Sequence, residues 1–196
     1  MIISASLVKE LRSITNAGMM ECKKSLVECD GDINKAVKHL REKGLAMAKK
    51  RSSRTTKEGR IFSYIHLNNK LGVLVEINCE TDFVAKTDDF NEMSNNIAMQ
   101  VAASAPLFVD REQVSPEILE QEREIYRKQS ENKPPQAIEK IVEGKIEKYL
   151  KQVCLMEQSY IKDPDVTVND YIASFIAKLG ENITVRRFVR FQMGEE

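Results

Sequence analysis

Asn78-Cys79-Glu80-Thr81-Asp82-Phe83-Val84 sets an acid and an aromatic side by side, directly after Val73–Cys79, whose β-branched content reads as a strand. Thr81-Asp82, and Asp88-Asp89 beyond them, are residue types that end strands and start helices. An exposed tip where strand gives way to loop is therefore expected. A Phe at such a tip can wedge into an apolar crevice of a partner. The Asp beside it can compete for backbone amides or for a cation's ligand shell, and neither act needs a catalytic group. Packing of Phe83 into its own core is the competing reading, and the residues alone leave both open.

Other chemistry finds little support. Glu80, Asp82, Asp88 and Asp89 lack the alternate-residue oxygen pattern of a calcium loop, and Phe83-Val84 interrupt them. The four cysteines, Cys22, Cys29, Cys79 and Cys154, form no CxxC pair, and the only histidines are His39 and His66. Metal-ligand spacing is missing, and free thiols are favoured over disulfides. A cysteine enzyme built on Cys79 and His66 would have to assemble in space, with no local pattern behind it; His66 reads as a surface histidine. The eight glycines are isolated, and none makes a phosphate-cradling motif. No metal, no cofactor and no enzyme activity are expected.

Thirty basic against 30 acidic residues leave no net charge, which disfavours a nucleic-acid footprint spread over the surface and favours protein partners. No apolar run approaches the roughly 20 residues of a membrane span. Met1-Ile-Ile-Ser-Ala-Ser6 lacks the apolar region of a secretory signal, so a cytoplasmic protein without membrane contact is expected. With 42% hydrophobic residues in 196 the chain can build a core.

The elements that would position the tip follow from hydrophobic spacing. Residues 4–44 read as three short helices: Leu7, Val8, Leu11 and Ile14 share one face, and Ile33, Ala36, Val37 and Leu40 another, with Gly44 as the stop. The middle helix, within Gly18–Val27, carries Met19, Met20, Lys23 and Lys24. Methionines at a helix start are core or an adaptable apolar patch, and paired lysines are solvation or a charged contact. So small a core suggests a unit that presents a surface. Residues 45–60, crowded with Lys49, Lys50, Arg51, Arg54, Lys57 and Arg60, read as a basic linker, helical at its start, and as a solvated tether in preference to an RNA or acidic-surface contact.

Residues 61–196 read as a second domain. Ile61–His66, a turn at Leu67–Lys70 and the strand ending at Cys79 make a hairpin. A helix over 91–103 carries the stripe Phe90, Met93, Ile97 and Val101 and is closed by Pro106. Ser115-Pro116 opens a helix to about Ser130, and after Pro134-Pro135 a second runs through Ile138, Val142, Ile146 and Leu150. Their narrow apolar stripes predict a projecting helical hairpin, a coiled coil over about 115–151. Thr167 caps a last helix ended by Gly180, and 182–191 adds a strand to the hairpin. The fold class is α+β.

Taken together, Leu11-Arg12, Thr15–Lys24, Gly72–Glu76 leading into Asn78–Val84, Gly31-Asp32-Ile33 and Lys178–Ile183 with Arg186-Arg187 resemble the elongation factor Ts family of translation factors over the whole chain. The resemblance implies a guanine-nucleotide exchange factor for the GTPase elongation factor Tu that hydrolyses nothing, with a ubiquitin-associated-like domain at 1–44 and a core dimerisation and exchange domain at 61–196. It implies that Met19, Met20 and Lys23 contact the GTPase. Thr81, Asp82, Phe83 and Val84 would enter between its helices and disturb its Mg²⁺ and phosphate loop. Leu179 and Gly180 would lie near the nucleotide domain's surface, and His66 beside the wedge.

Asn16 stands where the family usually has Gly, and Glu21 where it often has Asp. A single hairpin and a single wedge mark the short form. A homodimer joined through the small sheets, using edge strands such as 182–191, is expected to rebuild a complete binding surface. The alternative is a non-enzymatic adaptor whose helical unit binds a ubiquitin-like or ribosome-associated partner, with 61–191 as scaffold.

Overall fold

Leu11, Leu26 and Ala36 are fully buried, one from each of the first three helices. They centre a small core with Val8 and Cys22. In the computed structural model, residues 3–195 are described; Met1, Ile2 and Glu196 lie outside them, and with them part of the expected leaderless start. Helix α1 (Ala5–Thr15) is capped by Ser4 and ends at Asn16 with φ 53°. That left-handed conformation is one that Asn adopts more readily than other non-glycine residues. Ile14, expected on the buried face, sits in the last turn of α1 and is 55% exposed. Helix α2 (Met19–Glu28) follows, then α3 (Ile33–Arg51), capped by Asp32.

Gly44 does not stop α3. The helix runs on to Arg51, with Lys49, Lys50 and Arg51 in its last turn, where cations complement the helix dipole. Gly44 is buried instead, and a Cβ there would lie 3.7 Å from the Ala173 carbonyl oxygen. That is an ordinary contact distance, so Gly44 marks where α3 packs on α8 (Val168–Leu179) and not a helix end. Half of the expected tether is thus a helix packed on the rest of the molecule.

The sheet is antiparallel in the order β1 (Glu58–Ile65), β2 (Leu71–Cys79), β5 (Ile183–Gln192). Strand alternation sends Val73, Val75 and Ile77 inward, where they meet Phe90, Met93 and Ile97 of α5 (Asp88–Ser104) and Ile172 and Phe175 of α8. Gly59 on β1 has φ 141°, and a Cβ there would come within 2.3 Å of the Ile77 carbonyl oxygen. Only glycine fits. The outer face exposes Ile61, Ile65, Leu74, Val189 and Phe191.

Helices α6 (Pro116–Gln129) and α7 (Pro135–Val153) pack on each other around Val142, Ile146 and Leu150. The pairs Arg123–Glu143 (3.1 Å) and Arg127–Glu139 (3.2 Å) step in opposite directions along the chain, which makes the hairpin antiparallel. Between α7 and α8 lies a short ribbon, β3 (Ser159–Tyr160) and β4 (Asp163–Thr167), with no counterpart in the sequence reading. Its few residues carry no period long enough to register. The whole is α+β, with eight α-helices among the described residues.

Candidate functional site

Where β2 ends, the chain makes a single-turn helix, α4 (Asp82–Ala85), rather than the expected loop. Thr81 is extended at the N-cap, and its hydroxyl oxygen accepts from the Val84 N–H at 3.4 Å. The turn has two sides. Ala85 is buried and Val84 packs half-buried on the main core, whereas Phe83 is 80% exposed. The aromatic therefore does not serve its own core. It is held out by a turn whose other side is anchored.

Asp82 takes part in an ion pair on the same turn: the Lys86 ammonium donates to Asp82 Oδ2 at 2.6 Å. This contact holds the Asp82 carboxyl below its ordinary range. Both side chains are open to solvent, so the pair adds little stability and can be exchanged for another cation or donor. Asp88 and Asp89 sit in the first turn of α5 behind the Thr87 N-cap, where acids favour the helix dipole. Asp89 also accepts from the Lys178 ammonium at 2.7 Å. Among the described residues no group of three His, Cys, Asp or Glu is arranged to hold a metal ion.

The root of the tip is held from the corner between α8 and β5. Gly180, with φ 80°, ends α8 in the left-handed conformation, and Glu181 beyond it accepts from the Glu80 and Thr81 N–H groups at 3.1 and 3.0 Å. Leu179 and Gly180 are thereby brought next to Thr81–Val84. The sequence shows Glu80 only as a rejected metal ligand, and Glu181 and Asn182 not as site residues. The signal available was an acid and an amide directly after a helix-ending glycine.

His66 is not beside the wedge. Ile65 pairs with Gly72 and Glu58 with Cys79, so at about 3.4 Å per residue His66, eight residues beyond Glu58, lies roughly 27 Å from the tip's root. It sits at the turn end of the hairpin, where its Nδ1 is 2.9 Å from the Tyr64 hydroxyl. The same separation keeps it from Cys79, whose thiol donates to the Thr81 carbonyl at 3.1 Å. Burial, aided by the Glu181 charge, pushes that thiol up to about 11, the opposite of an activated nucleophile. All four cysteines are free.

Met19 and Met20 are 59% and 64% exposed at the start of α2, and Val27 on the same helix is 50% exposed. Glu21 turns inward to Lys43 of α3 and also meets Lys24 at 3.7 Å, while exposed Lys23 has no ion pair among the described residues. A methionine patch with a free cation is thus presented on the outer side of α2 and cannot be counted as core.

An anchored aromatic tip and a second apolar patch, neither covered by other described residues, are the features of a protein suited to docking on another macromolecule. The chain belongs to the elongation factor Ts family: the family model described as Elongation factor TS matches residues 2–195. Elongation factor Ts of Desulfosudis oleivorans is 56% identical over 195 residues, covering 98% of either chain. That of Heliobacterium modesticaldum is 57% identical over 196 residues, covering 99% of this chain and 91% of the relative. The Fervidobacterium nodosum protein is 56% identical over the whole of both chains.

Membership sets the chain in translation elongation, a step of protein biosynthesis, and implies nucleotide exchange on elongation factor Tu. It also corrects the expectation of no enzyme: exchange is a catalysed process, in which the factor speeds a reaction of its partner although it is not a hydrolase or transferase. Absence of machinery for covalent chemistry in the residues does not speak against catalysis of this kind. No helix among the described residues is long and apolar enough to cross a membrane.

Proposed function

We propose that this chain promotes GDP release from elongation factor Tu by inserting the Thr81–Val84 turn between helices of the GTPase. Phe83 is the wedge, and Asp82 exchanges its Lys86 contact for groups that otherwise serve Mg²⁺ and the phosphate loop. The observation that carries this reading is the 80% exposure of Phe83 on a turn whose opposite side is buried. Mg²⁺ is the largest local positive charge at a bound diphosphate, so loosening its ligand shell removes much of what retains GDP. Linkage completes the cycle: a factor that binds the nucleotide-free GTPase more tightly than the GDP form weakens GDP by the same ratio, and GTP then displaces the factor.

Met19, Met20 and Lys23 would grip the nucleotide-binding domain from a ubiquitin-associated-like unit at 1–44, while Leu179 and Gly180 lie against it beside the wedge. His66, remote from the tip, would meet a different part of the partner. Residues 45–60 connect the first unit to the exchange core at 61–196. A homodimer formed through the apolar outer sheet face and the open edge of β5 would act in the cytoplasm. Sedimentation of a fully active monomer at working concentration would rule the dimer out.

The test is release of labelled GDP from elongation factor Tu with and without the chain. Asp82→Ala with Phe83→Ala slows release while the circular dichroism of the chain is unchanged. Release at the unmutated rate would sink the wedge.

A further inference from the structure

We propose that Glu181 is the positioning residue of the exchange tip, a part of the site that its exposed residues do not reveal. The inference rests on the reading of Phe83 as the wedge and adds how the wedge is aimed. One Glu181 oxygen, Oε2, accepts from two successive backbone N–H groups, Glu80 at 3.1 Å and Thr81 at 3.0 Å. The other, Oε1, accepts from the Thr81 hydroxyl at 2.6 Å. That hydroxyl has one proton. Committing it to Glu181 turns the oxygen's lone pairs toward the Val84 N–H, the bond that starts α4. The carboxylate therefore sets both the backbone direction entering the turn and the cap that makes the turn helical.

The arrangement is reciprocal. Glu80 Oε1 accepts from the Asn182 N–H at 2.6 Å, and that bond holds the Glu80 carboxyl below its ordinary range. Asn182 is buried, and its side-chain amide donates to the Arg54 carbonyl at 2.9 Å. Two carboxylates thus cross between the end of β2 and the start of β5, each bonded to the other segment's backbone. Charge-assisted bonds of this kind are short and directional. Gly180 just before Glu181 supplies the left-handed turn that lets the carboxylate face back. A wedge does work on a partner only if its base does not yield, and loss of this brace would let the turn fold aside.

The experiment compares Glu181→Ala, Glu181→Gln and Phe83→Ala in labelled-GDP release from elongation factor Tu, titrating the factor to saturation. Glu181→Ala lowers the maximal release rate by about tenfold, the loss that accompanies ~1.4 kcal/mol at the transition state. The half-saturating concentration stays within about threefold, because the α2 patch is untouched. Glu181→Gln, which still offers one accepting oxygen, recovers part of the rate. In the unmutated chain the Glu80 and Thr81 amides are protected from hydrogen exchange, a readout independent of how the variants fold. An unmutated maximal rate for Glu181→Ala, a change in half-saturation alone, or unprotected Glu80 and Thr81 amides would overturn the proposal. If Phe83→Ala is slow and Glu181→Ala normal, positioning fails and the wedge stands; if Phe83→Ala is normal, the wedge fails and the positioning role falls with it.

Discussion

Phe83→Ala separates binding energy from folding energy more cleanly than any other change in this chain. A phenylalanine can bury about 150–250 Å², and here 80% of the residue is open to solvent in the free protein. Wedging it into a partner would hide about 160 Å², of which the alanine methyl would retain a minor share. A net difference of about 100–120 Å² at ~25 cal/mol per Å² comes to about 3 kcal/mol, or roughly 100-fold in rate if the contact is made only in the state that loses GDP. Folding gains almost nothing from the exposed ring, so the thermal midpoint should correspond to a change within about 0.5 kcal/mol. The assay is stopped-flow release of fluorescent GDP from elongation factor Tu over a range of factor concentrations. A variant that unfolds early would show that the ring packs on its own chain. A stable variant with undiminished release would refute the wedge. A raised half-saturating concentration with the same maximal rate would make the contact uniform binding and refute the transition-state argument.

The remaining predictions concern the frame. Asp170 accepts from Arg41 of α3 at 2.5 Å and from the Thr167 N–H at 3.0 Å. Burial opposes its charge, but these bonds outweigh it and hold the carboxyl below its ordinary range. Its stabilisation is therefore complete at neutral pH and is lost progressively as pH falls below about 4 through the depressed value; Asp170→Ala should cost about 2–3 kcal/mol by urea titration at pH 7 and progressively less as pH falls through that range. Gly59→Ala should cost about 2–4 kcal/mol or more, because strain at positive φ adds to the clash with Ile77, and thermal unfolding reads it. Thiol alkylation at pH 7.5 should label half-buried Cys29 ahead of Cys79 and Cys154, whose thiols burial pushes up to about 11, and mass spectrometry gives the order.

What could be read from the residues followed period and capping chemistry. The stripe Phe90, Met93, Ile97, Val101 and the Thr167 cap translate directly into α5 and α8, because each rests on local signals repeated over several turns. Gly44 misled because a glycine after a periodic run can end a helix or lie within one. The packing of α3 on α8, with Ala173 opposite Gly44, is what carries the helix past it. The tip was legible as a place but not as a shape. Thr81's cap is local, whereas the carboxylate that orients it comes from a residue 100 positions away in the chain.

The continuation of α3 to Arg51 changes how the two docking surfaces must cooperate. A solvated tether would let the α2 patch and the tip find the partner independently, with an effective concentration set by linker length. Instead α3 is fastened at several levels. Lys43 meets Glu21 of α2, Arg41 meets Asp170 at the start of α8, and the Arg51 guanidinium donates to the Ile176 carbonyl at 3.2 Å near its end. Just beyond that end, Glu181 holds the tip. Patch, helix, corner and turn form one mechanical path, so the distance between Met20 and Phe83 is set by packed helices. If the patch and the tip both meet the partner as proposed, rigid spacing would make a grip by the patch load the tip at once. Weakening the Arg41–Asp170 fastening should then slow exchange more than it weakens binding, although neither residue lies at the tip.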